Sequence, residues 1–245
     1  MRLTALFAAA AGALALAAGA AAVVGGSADG AAHPSVGMLL VPGADGLVPE
    51  CSGVLVAPRV FLTAGHCTEA AVAAGGAAVA FGSTIDASAA AAAVPGAPVT
   101  EPGYGHDRSD LHDLGVVLLD RAAPVAPASL PAPGTAQGAE GTAPVSVGYG
   151  YVARETGGGN PRFVYDGVRH AAAIPVVTVT GAYLKLLDPT GTSLCFGDSG
   201  GPQFAAGTST VLSVTSGGGG ACKGAVDASR LDTPSARSFV SQYLP

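Results

Sequence analysis

The chain has no tryptophan and only two methionines, and aromatic side chains occupy only 5% of its 245 positions. Charge is also scarce: Asp, Glu, Lys and Arg make up 11% of residues, with a formal net charge of −6. That balance excludes a basic surface for nucleic acid. The four cysteines show no C-x-x-C spacing, which argues against a metal cluster. Beyond the N-terminus no apolar run is long enough to span a bilayer.

What is present is apolar and small. Hydrophobic residues reach 49% and glycines number 37, enough for a substantial core in a loop-rich chain. Residues 1–22 combine Arg2, an apolar run from Leu3 to Ala18 and the triplet Ala20-Ala21-Ala22, which reads as a secretory signal peptide with an A-x-A cleavage site. A membrane anchor is the other reading, but the run is Ala-rich and only barely spans. No stable anchor is expected, and the protein is expected outside the cell. In an exported chain four cysteines read as two disulfides, with three pairings open from sequence.

Residues 23–245 suit one large all-β unit or two small barrels sharing a cleft. Short strand-like runs separated by Gly, Pro and Ser fall at 36–41, 53–62, 78–82, 114–119, 144–148, 174–180 and 211–216. A Pro, Ala and Gly-rich stretch at 122–141 divides them. The spacing predicts a helix at the C-terminus: Thr233 caps it, Pro234 suits its first turn, and Phe239, Val240, Tyr243 and Leu244 share a face that docks on the protein's own surface.

The chemistry concentrates in Gly197-Asp198-Ser199-Gly200-Gly201-Pro202. Glycine flanks allow the backbone to fold closely around a serine hydroxyl and aim amides at one spot, so the N–H groups of Gly197 and Ser199 are candidates for an oxyanion hole. A hydroxyl is a poor nucleophile without a base, and the base needs an orienting carboxylate. Of five histidines, only His66 follows a strand-like run and adjoins a cysteine. A lone histidine there is otherwise a structural residue; the serine loop changes that reading. For the carboxylate, Asp113 opens the apolar run 114–119, whereas Asp110 reads as a loop acid.

With these three motifs in the order His, Asp, Ser, the chain resembles secreted serine peptidases of the trypsin and chymotrypsin family. The match rests on Thr63-Ala64-Gly65-His66-Cys67 (the family more often has TAAHC), on Asp113-Leu114-Gly115-Val116, and on the intact GDSGGP string. The tail Arg230 to Pro234 and the alanine-rich style are similar to actinobacterial members. The resemblance implies an all-β fold of two six-stranded antiparallel β-barrels with a C-terminal helix: a first barrel over about 23–121, a crossover over 122–141, and a second barrel with the helix over 142–245.

It further implies His66 as general base, Asp113 as its orienter and Ser199 as the acylated nucleophile. The disulfides it implies are Cys51 to Cys67 and Cys195 to Cys222. Val23-Val24-Gly25-Gly26 resembles the family's mature start, so Val23 is expected to supply a freed amine that pairs with Asp198. Because Ala20-Ala21-Ala22 directly precedes Val23, signal peptidase alone would generate that terminus, and the enzyme would be active on export.

For substrate preference, the resemblance places Ser193 on the pocket floor with Leu194 beside it, and Ser216, Gly217 and Gly218 along the wall, with Gly217 in place of the family's usual Trp. Val226 faces the pocket and narrows it, which favours small to medium apolar side chains before the scissile bond. The alignment between Cys222 and Arg230 is short, and a one-residue shift would put Asp227 there and favour Arg or Lys. An inactive homologue serving as a binding module is the other class of reading, and intact candidates at all three catalytic positions weigh against it. An α/β-hydrolase esterase is disfavoured by the order of the triad. The expected partners are peptide or protein substrates and protein inhibitors, acting on a monomer, with no cofactor and no metal.

Overall fold

The computed structural model describes residues 23–105, 107, 109–155, 162–218 and 222–245. The leader expected over 1–22 lies outside the described residues. The strands are β1 (Ser27–Ala28), β2 (Val36–Gly43), β3 (Gly46–Ala57), β4 (Val60–Thr63), β5 (Ala77–Phe81), β6 (Val94–Thr100), β7 (Gly115–Leu119), β8 (Val145–Gly148), β9 (Ala153–Glu155), β10 (Arg162–Val164), β11 (His170–Ala173), β12 (Val176–Val179), β13 (Tyr183–Leu186), β14 (Pro202–Phe204), β15 (Val211–Gly218) and β16 (Val226–Arg230). The helices are α1 (Gly65–Ala73), α2 (Ala87–Ala91) and α3 (Pro234–Ser241).

The first six long strands close into an antiparallel barrel in the order β2, β3, β4, β7, β6, β5. The run 53–62, expected as one strand, is a hairpin: Pro58-Arg59 turn the chain so that Ala57 faces Val60. Proline presets the backbone angle a tight turn needs.

The second unit is a curled sheet of eight strands in the order β1, β11, β8, β14, β15, β16, β13, β12. It curls toward closure through irregular bonds in place of a ladder. Gly141 N–H donates to Val176 O, Val176 N–H to Thr142 O, and Ile174 N–H to Pro144 O. Pro144 and Pro175 bring no N–H to this seam, which keeps it from zipping into paired strands. The proline-rich stretch lies between β7 and β8 and holds a single 3-10 turn, Thr135–Gly138.

Three apolar clusters follow from the two-residue period of strands. Leu39, Val41, Leu55, Phe61, Val79, Val117 and Leu119 fill the barrel. Their neighbours Met38, Leu40, Val54, Leu62 and Val116 point the other way and meet Val147, Phe204 and Val214 of the second sheet and Tyr149, which follows β8. Buried on both faces, β2, β4 and β7 therefore read as unbroken apolar runs. Val23, Ile174, Leu184, Leu194, Leu212 and Val226 fill the concave side of the curled sheet.

Helix α3 docks as expected. The Thr233 hydroxyl accepts from Ala236 N–H at 3.3 Å, and Phe239 and Val240 are buried against the cluster between the two sheets. Each such buried side chain contributes about 1.5–3 kcal/mol. Among the described residues no helix is long and apolar enough to cross a membrane.

Candidate active site

His66 and Asp113 come from the barrel, and Ser199 from the curled sheet. Strand β4 ends at Thr63 and runs straight into α1, which places His66 in the first turn of that helix. Helix starts leave amides without partners, and Ala64, the capping residue, offers no side-chain bond. Asp113 fills the gap: its Oδ1 accepts from His66 N–H at 2.9 Å. The same carboxylate lies 3.0 Å and 3.2 Å from His66 Nδ1. An ionised carboxylate only accepts, so Nδ1 carries the proton and Nε2 is left as the basic nitrogen. One residue thus caps the helix and sets the tautomer of its histidine.

Asp113 is buried, and its Oδ2 also accepts from Ser216 Oγ at 2.5 Å. Burial works against its ionisation, but the hydrogen bond and charge of His66 and the bond from Ser216 outweigh it and hold the carboxyl below the usual carboxylate range. Ser216, expected on the pocket wall, serves Asp113 with its hydroxyl.

Ser199 is half-buried and is brought to this pair by its neighbours. Gly200, with φ of +75°, lies so close to Thr63, Ser52 and Ala64 that any Cβ there would overlap them. Gly200 N–H donates to Thr215 O at 2.7 Å, next to Ser216. The serine loop is therefore wedged between the residues that precede His66 and the residue that holds Asp113.

The loop's amides are oriented by their carbonyls. Phe196 O accepts from Tyr151 N–H, and Asp198 O from Gly201 N–H, both at 2.9 Å. In trans peptides the N–H opposes the C=O, so the N–H groups of Gly197 and Ser199 point away from those donors. Neither is spent on a backbone carbonyl among the described residues. The Gly197 carbonyl is fixed in turn by Ser52, through its N–H at 2.9 Å and its Oγ at 2.7 Å.

A cavity of about 210 Å³ opens beside Ser199, with Leu194, Thr215, Gly217, Gly218 and Val226 in its lining. Ser193 does not line the cavity: it is buried one residue behind Leu194, and its N–H donates to Val24 O. Asp227 points the opposite way from Val226 on β16 and pairs with Lys185 at 2.7 Å, outside the cavity. The exposed Phe196 stands at its mouth, a residue the sequence reading did not single out.

The two disulfides form with the expected pairings, Cys51 to Cys67 and Cys195 to Cys222. The first ties β3 to α1 beside His66; the second joins the serine loop to the cavity's far wall. Cys51, His66 and Cys67 crowd together as metal ligands would, but both sulfurs are spent in the disulfide.

Behind the serine loop, Asp198 is buried in a cradle where a Cβ on either Gly148 or Gly150 would overlap the carboxylate. It accepts from the N–H groups of Gly150 at 3.0 Å, Cys195 at 2.9 Å, and Val23. Val23 is itself fully buried, with φ of 54°, a backbone region that β-branched residues avoid. Burial, partly offset by those donors, pushes the Asp198 carboxyl up to about 6.

The fold is similar to that of several solved structures. They include one named HL collagenase (TM-score 0.70, 20% identity, covering 90% of this chain and 97% of that one). Human heparin binding protein gives a TM-score of 0.68 at 20% identity, covering 90% of this chain and 96% of that one. A protein named GrC gives 0.70 at 19%, covering 90% and 98%. At such identities the likeness establishes the fold alone. No curated protein matches the chain. The family model for trypsin matches residues 22–232 of the 245, a span that takes in both sheets and all of His66, Asp113 and Ser199, and on that match the chain belongs to the trypsin family.

Proposed function

We propose that this trypsin-family protein is a secreted serine endopeptidase that cleaves peptide bonds through an acyl-enzyme. The observation that carries the reading is the bonding of Asp113 to both His66 and Ser216, set beside the wedged Ser199 loop. Ser199 Oγ attacks the scissile carbonyl while His66 Nε2 takes its proton. The amides of Gly197 and Ser199 receive the negative charge that develops on the carbonyl oxygen. Protonated His66, stabilised by ionised Asp113, gives the proton to the leaving amine. Water then repeats the sequence to release the acyl group.

The apolar walls formed by Leu194 and Val226 support a preference for small to medium apolar side chains before the scissile bond. A basic side chain would enter the cavity without a counter-ion, because Asp227 is occupied outside it. Two disulfides and the apolar leader support export. Release of Val23 as a free amine would place a cation against Asp198, whose carboxylate otherwise has only amide donors. Direct cleavage after Ala22 by signal peptidase would do this without a further processing step.

A chromogenic peptide panel, varied only before the scissile bond and applied to secreted protein of sequenced N-terminus, tests the reading. Cleavage after Ala, Val or Leu is expected to exceed cleavage after Arg or Lys by about 100-fold or more. Cleavage mainly after Arg or Lys would overturn the assigned preference. No cleavage of any member by protein that begins at Val23 would overturn the catalytic reading, and an N-terminus other than Val23 would overturn the one-step maturation.

A further inference from the structure

The segment that brings Val23 to Asp198 is anchored at its far end by a buried ion pair. We infer that Asp29 and Arg169 are positioning residues for the catalytic loop. The inference rests on the functional reading above and identifies what holds the activating segment in register.

Arg169 is the largest fully buried side chain among the described residues, in a chain with few charges. Its Nε donates to Asp29 Oδ2 at 2.7 Å, and its Nη2 donates to Gly30 O at 2.7 Å. Its Nη1 reaches Gly82 O at 2.9 Å, Val36 O at 3.2 Å and the Tyr149 hydroxyl at 3.3 Å. Asp29 is equally committed: Oδ1 lies 2.5 Å from His33 Nδ1, and Oδ2 also accepts from His33 N–H. Burial opposes its ionisation, yet the bonds to His33 and Arg169 hold its carboxyl below the usual range.

Between Val23 and Asp29 the segment is otherwise held by the bond from Ser193 N–H to Val24 O and by one short strand pairing. Strand β1 has two residues, both exposed, paired to β11 through Ser27 with Ala171 and Ala28 with His170. So short and exposed a pairing is weak by itself. Asp29 follows in the same register opposite Arg169, and its N–H donates to Arg169 O at 2.8 Å. The guanidinium fork is directional, so the pair fixes how far the chain reaches toward Asp198.

The same guanidinium reaches the loop by a second route. It bonds the Tyr149 hydroxyl, Tyr149 N–H donates to Ser52 Oγ at 2.9 Å, and Ser52 Oγ donates to the Gly197 carbonyl at 2.7 Å. Tyr149 also precedes Gly150, whose N–H holds Asp198. Arg169 therefore braces the activating segment and the oxyanion loop together.

The test replaces Asp29 with Asn in secreted protein that begins at Val23, and counts competent sites by the burst of acyl-enzyme formation. The burst and kcat are expected to fall about tenfold or more while KM of the remaining activity is unchanged. The free tripeptide Val-Val-Gly, the segment's own first three residues, is expected to restore the burst by filling the vacated site; a merely destabilised fold would not respond to it. In a second variant, Asp29→Cys with Arg169→Cys, a disulfide would bridge the two positions that follow the β1–β11 pairing, where Asp29 N–H already bonds Arg169 O. That variant is expected to be active when oxidised and to lose its burst when the engineered bond is reduced. A full burst in Asp29→Asn would overturn the inference. So would a lost burst that neither the tripeptide nor the oxidised Cys pair restores. Absence of a burst in the unaltered protein would instead overturn the catalytic reading beneath it.

Discussion

Replacing Ser199 with alanine is expected to lower kcat about 10⁶-fold, the scale seen when a serine peptidase loses its nucleophile. The loss is large because the rest of the machinery has no other group to act on. His66 would still hold its proton on Nδ1, bonded to Asp113, but its Nε2 would have no serine proton to take. The residual rate would come from the Gly197 and Ser199 amides and from binding in the Leu194 and Val226 cavity, which the substitution leaves in place. Peptide binding by the variant should therefore match that of the unaltered protein within a few fold, measured at equilibrium, while single-turnover hydrolysis collapses. Hydrolysis within tenfold of the original rate would place the nucleophile elsewhere.

The substitution Asp113→Asn should cost about 10⁴-fold in kcat. Its carboxylate performs three tasks: it accepts from His66 Nδ1, from His66 N–H and from Ser216 Oγ. An amide has a single acceptor oxygen. If that oxygen keeps the helix N–H, the amide nitrogen faces Nδ1 and forces the histidine proton onto Nε2, where it blocks uptake of the serine proton. The fold should survive, because the helix cap is retained and the shape hardly changes. Titrating His66 by NMR alongside the rate separates this account from simple unfolding: a cooperative melt with the proton moved to Nε2 is expected. An intact fold with near-normal turnover would deny Asp113 its role.

The candidate catalytic residues were legible because each sits in a contiguous string whose residue types suit the proposed chemistry. His66 follows a strand, Asp113 precedes one, and Ser199 is boxed by glycines. The barrel was legible where strands are buried on both faces, as in β2, β4 and β7. Strand β6 was missed because Pro95 and Pro98 argue against a central strand, yet it pairs with both β5 and β7. Strands β13, β14 and β16 are short or carry polar residues such as Asp227 and Arg230, so no apolar run announces them. The pocket's membership depended on a register shift between Thr215 and Gly217, which sets Gly218 opposite Val226 and leaves Ser193 behind the wall. Counting along the chain does not reveal such a shift. The bond between Asp29 and Arg169 spans 140 positions, and no local pattern joins them.

The Asp198 cradle links folding to the proton. While residue 23 remains joined to the residues before it, no amine neutralises the carboxylate there, and a proton can take that place. A carboxyl held at about 6 in the fold, against an ordinary 3.8, favours the folded chain most below about 4. That advantage, about 3 kcal/mol, drains away as pH rises through 6. The uncut chain should then lose resistance to urea between pH 4 and 6, whereas a chain beginning at Val23 should not. In the uncut chain a solvent proton would do for the fold what the liberated amine of the proposed maturation would do afterwards, so maturation would exchange a counter-charge that depends on the surroundings for one the protein carries itself.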